Sequence, residues 1–196
     1  MQVIPSWPFV RSQRGFTLVE LMITISVLGI LMAIALPDLK SFIVKNRLSS
    51  DVNGLIGLIT YARSEAITRN QSVVICPKSA GAVITCANDA EWGKYETQIF
   101  VDTNGNEQRD AGEELLKTAA ATDTSGSIRQ INRRSGSTGT AGVIRFGAVG
   151  LSLSPPINFE IVAKGDATYE IEFGRVLCIP RTGRTRVTAN VSPICP

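Results

Sequence analysis

The sequence predicts an α+β protein in which a long amino-terminal helix packs on an antiparallel β-sheet. Three observations carry that expectation. Phe16–Leu36 is an apolar run of 21 residues broken by one acid, Glu20. From Leu39 to Ile67, apolar residues recur at threes and fours: Leu39, Phe42, Ile43, Leu48, Val52, Leu55, Ile56, Ile59, Ala62, Ala66 and Ile67. That spacing marks one face of a helix. After Asn70 the pattern changes to short β-branched segments bounded by Gly, Pro, Asn or Asp, which read as strands. A helix followed by many strands puts the helix's apolar face on an antiparallel sheet. At 196 residues the chain accommodates one ordinary domain and an additional element.

Residues 1–15 hold Arg11 and Arg14 and no acid, and end in Gly15. They resemble the charged part of an export signal, yet no small-residue cleavage site follows the apolar run. Residues 16–36, at about 1.5 Å per residue, cover roughly 30 Å and suit a transmembrane helix. Basic residues ahead of such a span keep the leader cytoplasmic and send the remainder outward. Residues 37–70 continue the helix in amphipathic form, with Pro37 removing one backbone hydrogen bond and predicting a kink. A carboxylate at bilayer depth costs about 2.5–3.5 kcal/mol, so Glu20 calls for a functional explanation.

Residues 71–196 form the expected globular, β-rich domain. Its strand candidates are SVVIC, GAVITC, TQIFVD, GVIRF, INFEIVA, TYEIEF, RVLCIP and TRVTA. The small, polar segment 118–142 is expected to contain a long, mobile loop. Four cysteines, Cys76, Cys86, Cys178 and Cys195, form no CxxC pair. Two local disulfides, 76–86 and 178–195, suit an oxidising compartment, although four cysteines allow three connectivities.

RGFTLVELM, spanning Arg14–Met22, resembles the processing signal of type IV prepilins and type II secretion pseudopilins. The resemblance implies that a prepilin peptidase cuts after Gly15 and methylates the new amino terminus, Phe16. It also implies that Glu20 and Pro37 are the family's assembly glutamate and helix-kinking proline. In assembled filaments that glutamate pairs with the amino-terminal ammonium of a neighbouring subunit, and a buried carboxylate is tolerable when so paired. Within the superfamily the chain is similar to the FimT/GspH-like minor pilins. This rests on the amino-terminal signal, on IFVDTNGNEQRDAGEELL in mid-chain and on the late TGRTRV. The implied setting is a bacterial inner membrane, single-pass, with the carboxyl-terminal domain in the periplasm and the chain incorporated in or at the tip of a pilus or pseudopilus. The implied partners are the peptidase and other pilins or pseudopilins.

Two constellations could carry chemistry. Asp102, Asn104, Asn106, Gln108, Asp110 and Glu113 fall at the ligand positions of an EF-hand loop, but Glu107 occupies the position that requires glycine. Flanked by strand-like TQIFV and ELLK, the stretch reads instead as a long hairpin whose Asp, Asn and Gly residues supply turn geometry. Charge, meanwhile, is segregated: residues 87–123 hold nine acids and three basic residues. Segment 127–159 has no acid but carries Arg129, Arg133, Arg134 and Arg145, and segment 174–196 has none beside Arg175, Arg181, Arg184 and Arg186. Guanidinium groups without acidic partners suit phosphate oxygens and bind nucleic-acid backbone without reading sequence. Gly183, Arg184 and Arg186 match the G-R-x-R motif associated with DNA uptake in FimT-like minor pilins. Arg181 and Arg175 add charge, so double-stranded DNA is an expected partner. The absence of nearby aromatic residues favours duplex over single strands. A purely structural pilin or secretion pseudopilin with ordinary surface arginines is the competing expectation. No catalytic residue, metal ligand or cofactor is expected: histidine is absent, and neither a Walker nor a dinucleotide glycine pattern occurs.

Overall fold

The structure is a computed structural model that describes residues 15–78, 86–87, 92–121, 126–131, 142–163 and 172–189. Side chains at 35–38, 126–127, 129–131 and 189 lie outside that description. The chain divides into two compact units, Met1–Lys40 and Ser41–Pro196.

Helix α1 runs Leu18–Arg69. Thr17 starts it as N-cap: its Oγ1 accepts the Glu20 N–H at 3.1 Å and its carbonyl accepts the Leu21 N–H at 3.1 Å. The helix ends in a Schellman motif, with Asn70 at φ +52°, its N–H on the Ile67 carbonyl, and the Gln71 N–H on the Ala66 carbonyl. In the first unit, every large apolar side chain from Phe16 to Ile34 is at least half exposed. Among the described residues no single helix is long and apolar enough to cross a membrane; Leu18–Ile34 and Leu39–Arg69 meet that test only as a pair. The break between them falls on 35–38, so the expected effect of the Pro37 side chain lies outside the described residues.

In the second unit the expected single sheet is two. One has the order β3-β2-β1-β5, formed by β1 (Val73–Pro77), β2 (Thr97–Val101), β3 (Leu115–Ala119) and β5 (Ile144–Phe146). The other has the order β4-β6-β7-β8, formed by β4 (Gly126–Ile131), β6 (Ile157–Ala163), β7 (Arg175–Ile179) and β8 (Arg186–Ala189). All pairings are antiparallel. One helix face, made by Leu48, Val52, Leu55, Ile59, Ala62 and Ala66, shares a core with Val73, Ile75, Ile99, Ile144 and Phe146 of the first sheet. Ile157, Phe159, Ile161, Leu177 and Ile179 of the second sheet join the same core. Trp92 meets Phe159 edge to face at 5.0 Å.

The buried stripe begins at Leu48. Leu39, Phe42 and Ile43, expected on that face, are exposed, as is Ile67 at the other end. The helical period continues past the part of the helix that the sheets cover, and period alone does not say where coverage starts. On the same helix, burial pushes the Asp51 carboxyl above its ordinary value, and the Arg47 guanidinium one turn earlier partly offsets this. A raised folded-state value means that stability present below the ordinary carboxylate range is lost as pH rises through the shifted value. Asp51→Asn is therefore expected to raise the melting temperature at neutral pH and to leave it unchanged at pH 3.

The expected loop over 118–142 is corrected at β4, which occupies Gly126–Ile131 and pairs along its length with β6. The edge position explains why its sequence looks like a loop: it contributes one buried side chain, Ile128, among the described residues. TQIFV and LLKTA pair as β2 and β3, so the stretch between them closes a hairpin. GAVITC and TYEIEF lie largely outside the described residues. Cys76 and Cys86 form a disulfide over a sequence separation of 10. Together with Val74, Phe100 and Val143 they make a second small core behind the first sheet. Cys178 is also disulfide-bonded, while Cys195 lies outside the described residues. A loop of about ten residues gives the 76–86 bridge a chain-entropy contribution of about 2–3 kcal/mol. Calorimetry on Cys76→Ala/Cys86→Ala should show a lower melting temperature, corresponding to a stability loss of that size.

Candidate nucleic-acid interface and processing motif

The mid-chain hairpin is organised by hydrogen bonds to its own carboxylates. Asp102, only 1% exposed, accepts the Gly105 N–H at 2.8 Å and the Glu107 N–H at 3.4 Å. Glu113 takes the Thr103 N–H at 2.8 Å, its hydroxyl at 3.0 Å and the Asp110 N–H at 3.0 Å. Asp110 in turn accepts the side-chain amides of Asn104 at 2.6 Å and Asn106 at 2.8 Å. Each carboxylate organises the turn, and among the described residues no group of three or more His, Cys, Asp or Glu side chains is placed to hold a metal. Millimolar calcium should therefore leave the melting temperature unchanged. Asp102→Ala should cost about 1–3 kcal/mol, because it removes the acceptor of two part-buried N–H groups.

Arg145 belongs to this hairpin. It stands in an acid-free stretch of sequence, yet its Nη1 donates to the Gly105 carbonyl at 2.8 Å and lies 3.8 Å from Asp102. Its Nε is 3.9 Å from Glu107. The pairing β5–β1–β2 brings these residues together across the sheet. Arg145 thus stands apart from the arginine turn as a partner of carboxylates, and the side chains of Arg129, Arg133 and Arg134 lie outside the described residues.

The late arginines occupy the turn between β7 and β8. Gly183 donates its N–H to the Pro180 carbonyl at 2.9 Å and has φ +71°. A Cβ built there would lie 2.5 Å from the Gly150 carbonyl oxygen and 3.3 Å from the Phe146 ring, so conformation and space both require glycine. Gly183 is buried, while Arg181, Arg184 and Arg186 around it are exposed and make no ion pair among the described residues. Arg175 differs from them. It is half-buried, and its Nη1 donates to the Phe173 and Gly174 carbonyls at 3.0 Å each, locking the start of β7. The turn therefore brings together three of the four expected arginines. Beside it, loop 147–153 exposes Val149, Leu151 and Leu153, an apolar margin that composition alone did not flag.

At the other end, Gly15 and Phe16 precede the helix in exposed chain, and Glu20 is exposed in the first turn. Thr17 and Glu20 have the spacing of a capping box, a local signal for the helix start within the processing motif.

Residues 51–183 match the family described as type II transport protein GspH, and residues 10–36 match the prokaryotic N-terminal methylation motif. The chain belongs to the GspH family. Among curated relatives, pilin-like protein PilA1 of Thermus thermophilus is 38% identical over 109 residues, covering 55% of this chain and 60% of that protein. Fimbrial protein EcpC of Eikenella corrodens is 36% identical over 93 residues, covering 47% and 57%. The chain thus spans less than two thirds of these relatives' lengths. The type IV minor pilin FimU of Pseudomonas aeruginosa has the same fold, at TM-score 0.52 and 22% identity, covering 77% of this chain and 93% of that structure.

Proposed function

We propose that this GspH-family chain is a minor type IV pilin that binds duplex DNA through its arginine turn and takes part in DNA uptake and pilus biogenesis. The prepilin peptidase cuts after Gly15 and methylates Phe16. Phe16–Leu36 then anchors the chain in the bacterial inner membrane as a single pass, with the carboxyl-terminal domain in the periplasm. Glu20 and the new ammonium of a neighbour draw the chain into the filament, in the pilus or at its tip. Arg184 and Arg186 take the phosphates, with Arg181 beside them. Arg175 contributes background charge only, since its guanidinium already serves two carbonyls. Capture is electrostatic, and other proteins supply the retraction that moves the DNA.

The observation that carries the DNA reading is three exposed guanidinium groups, without an ion-pair partner among the described residues, at a turn that Gly183 fixes against the domain. Such groups form bidentate contacts to phosphate and impose no sequence preference. The match of residues 51–183 to the GspH family favours a second reading, a pseudopilin of a type II secretion system that binds only protein. A mobility-shift titration of the full chain in detergent against duplex DNA separates the two. Three phosphate contacts predict an affinity loss of about 40-fold between about 50 and 200 mM salt. No shift at the lower salt would leave the secretion reading standing.

A further inference from the structure

We infer that Arg63 of helix α1 is the positioning residue that holds the arginine turn in its displayed form, an inference that rests on the proposed DNA-binding role of that turn. Within itself the turn makes, among the described residues, the one bond from Gly183 to Pro180. Its outward support comes from loop 147–153, where the Ser152 N–H donates to the Arg181 carbonyl at 2.9 Å. The apex of that loop, Gly150, is in turn held from below, its carbonyl accepting the Arg63 Nε–H at 2.8 Å. A Cβ on Gly183 would meet that same carbonyl oxygen at 2.5 Å and Arg63 Nε at 3.1 Å. Helix, loop apex and turn therefore converge on one oxygen atom.

Both glycines fit this arrangement. Gly150 has φ +74°, and a Cβ there would lie 2.6 Å from Ile67 Cδ1 and 3.2 Å from Arg63 Nε. Two left-handed glycines let two backbones close over a single guanidinium. Arg63 is half-buried and makes no ion pair with a carboxylate among the described residues. Were its task simple packing, a leucine would fill the space without the loss of rotamer freedom that an ordered arginine incurs. Its Nε instead satisfies a carbonyl, and its unneutralised charge raises the positive potential under Arg181, Arg184 and Arg186. Folding thus orders the turn in advance, and the phosphate contacts of Arg184 and Arg186 need not bear that ordering cost on binding.

The test uses the full chain in detergent with Arg63→Gln and Arg63→Lys. In lysine a methylene stands where arginine has Nε, so Arg63→Lys keeps the charge and removes the donor. Both variants should exchange the Ser152 and Gly183 amide protons at least tenfold faster than the parent, with β6 and β7 amides unchanged. Both should bind duplex DNA about 5- to 10-fold more weakly at low salt. Parental exchange rates at Ser152 and Gly183 in both variants would overturn the inference, as would full recovery of affinity in Arg63→Lys, which would mean that charge alone matters. If the parent chain fails to shift DNA at all, the DNA-binding reading is lost, and the exchange rates still decide whether Arg63 holds the turn.

Discussion

Changing Arg184 and Arg186 together to Gln lowers the affinity of the full chain for duplex DNA by about 10- to 100-fold at about 50 mM salt, or about 1.4–2.8 kcal/mol. It also reduces the slope of log affinity against log salt by about 1.8, the release of counterions from two phosphates. The two effects must appear together. A loss of affinity at constant slope would mean that the substitutions disturbed the turn without removing phosphate contacts. Glutamine is shorter but keeps a polar, hydrogen-bonding side chain, both positions are exposed, and neither side chain contributes to the core. The melting temperature should accordingly move by less than the change that about 0.5 kcal/mol produces. Arg175→Gln makes the contrasting control: it removes the donor to the Phe173 and Gly174 carbonyls and should lower stability while leaving the salt slope near the parental value. Binding by the double variant at parental strength would remove the turn from the proposed function altogether.

The parts of this molecule that were legible in its sequence are those whose chemistry is contiguous. Gly15, Phe16 and Glu20 lie within six positions, and the processing motif and the odd carboxylate can both be read in one line. Val52, Leu55, Ile59, Ala62 and Ala66 repeat at the helical period, and all five are buried. The alternation of INFEIVA reappears as inward Ile157, Phe159, Ile161 and Ala163. Gly183 was legible as a turn residue, but its second duty, the close approach to Gly150, was not.

What escaped the sequence depends on pairings between distant segments. β1 pairs with β2 on one side and with β5, some seventy residues later, on the other, and that crossover separates the strands into two sheets. The same crossover sets Arg145 beside Asp102, so a charge count along the chain placed it with the wrong company. β4 was hidden because it is an edge strand whose sequence, GSIRQI, carries no apolar alternation to detect. Arg63 stands 87 residues from the carbonyl it holds, and on the helix it looks like any polar residue of the solvent face.

The largest effect is expected from a single residue at the opposite end of the chain. Glu20→Ala should leave membrane insertion intact and nearly abolish incorporation into a filament, measured as the share of the chain recovered in sheared pili or in the pseudopilus fraction. The reasoning starts from exposure. Phe16, Leu18, Leu21, Ile23, Ile30 and Ile34 are all more than half exposed in the isolated chain, as a helix awaiting lipid or other helices must be. Once those neighbours surround it, Glu20 loses its water, and a buried carboxylate persists only when it is paired. The amino-terminal ammonium that cleavage after Gly15 would create four residues away is a cation, and in the proposed assembly an adjacent subunit would supply it. Removing one member of such a buried pair costs about 3–5 kcal/mol, a factor of roughly 10² to 10⁴ in occupancy. Glu20→Gln sharpens the result, because it preserves shape and hydrogen bonding while removing the charge, and should fall with the alanine variant. Insertion, by contrast, should improve slightly in both, since neither carries a charge into the bilayer. Normal incorporation of both variants would reduce Glu20 to the second half of a helix cap, with Thr17 and its 3.1 Å bond accounting for everything the position does.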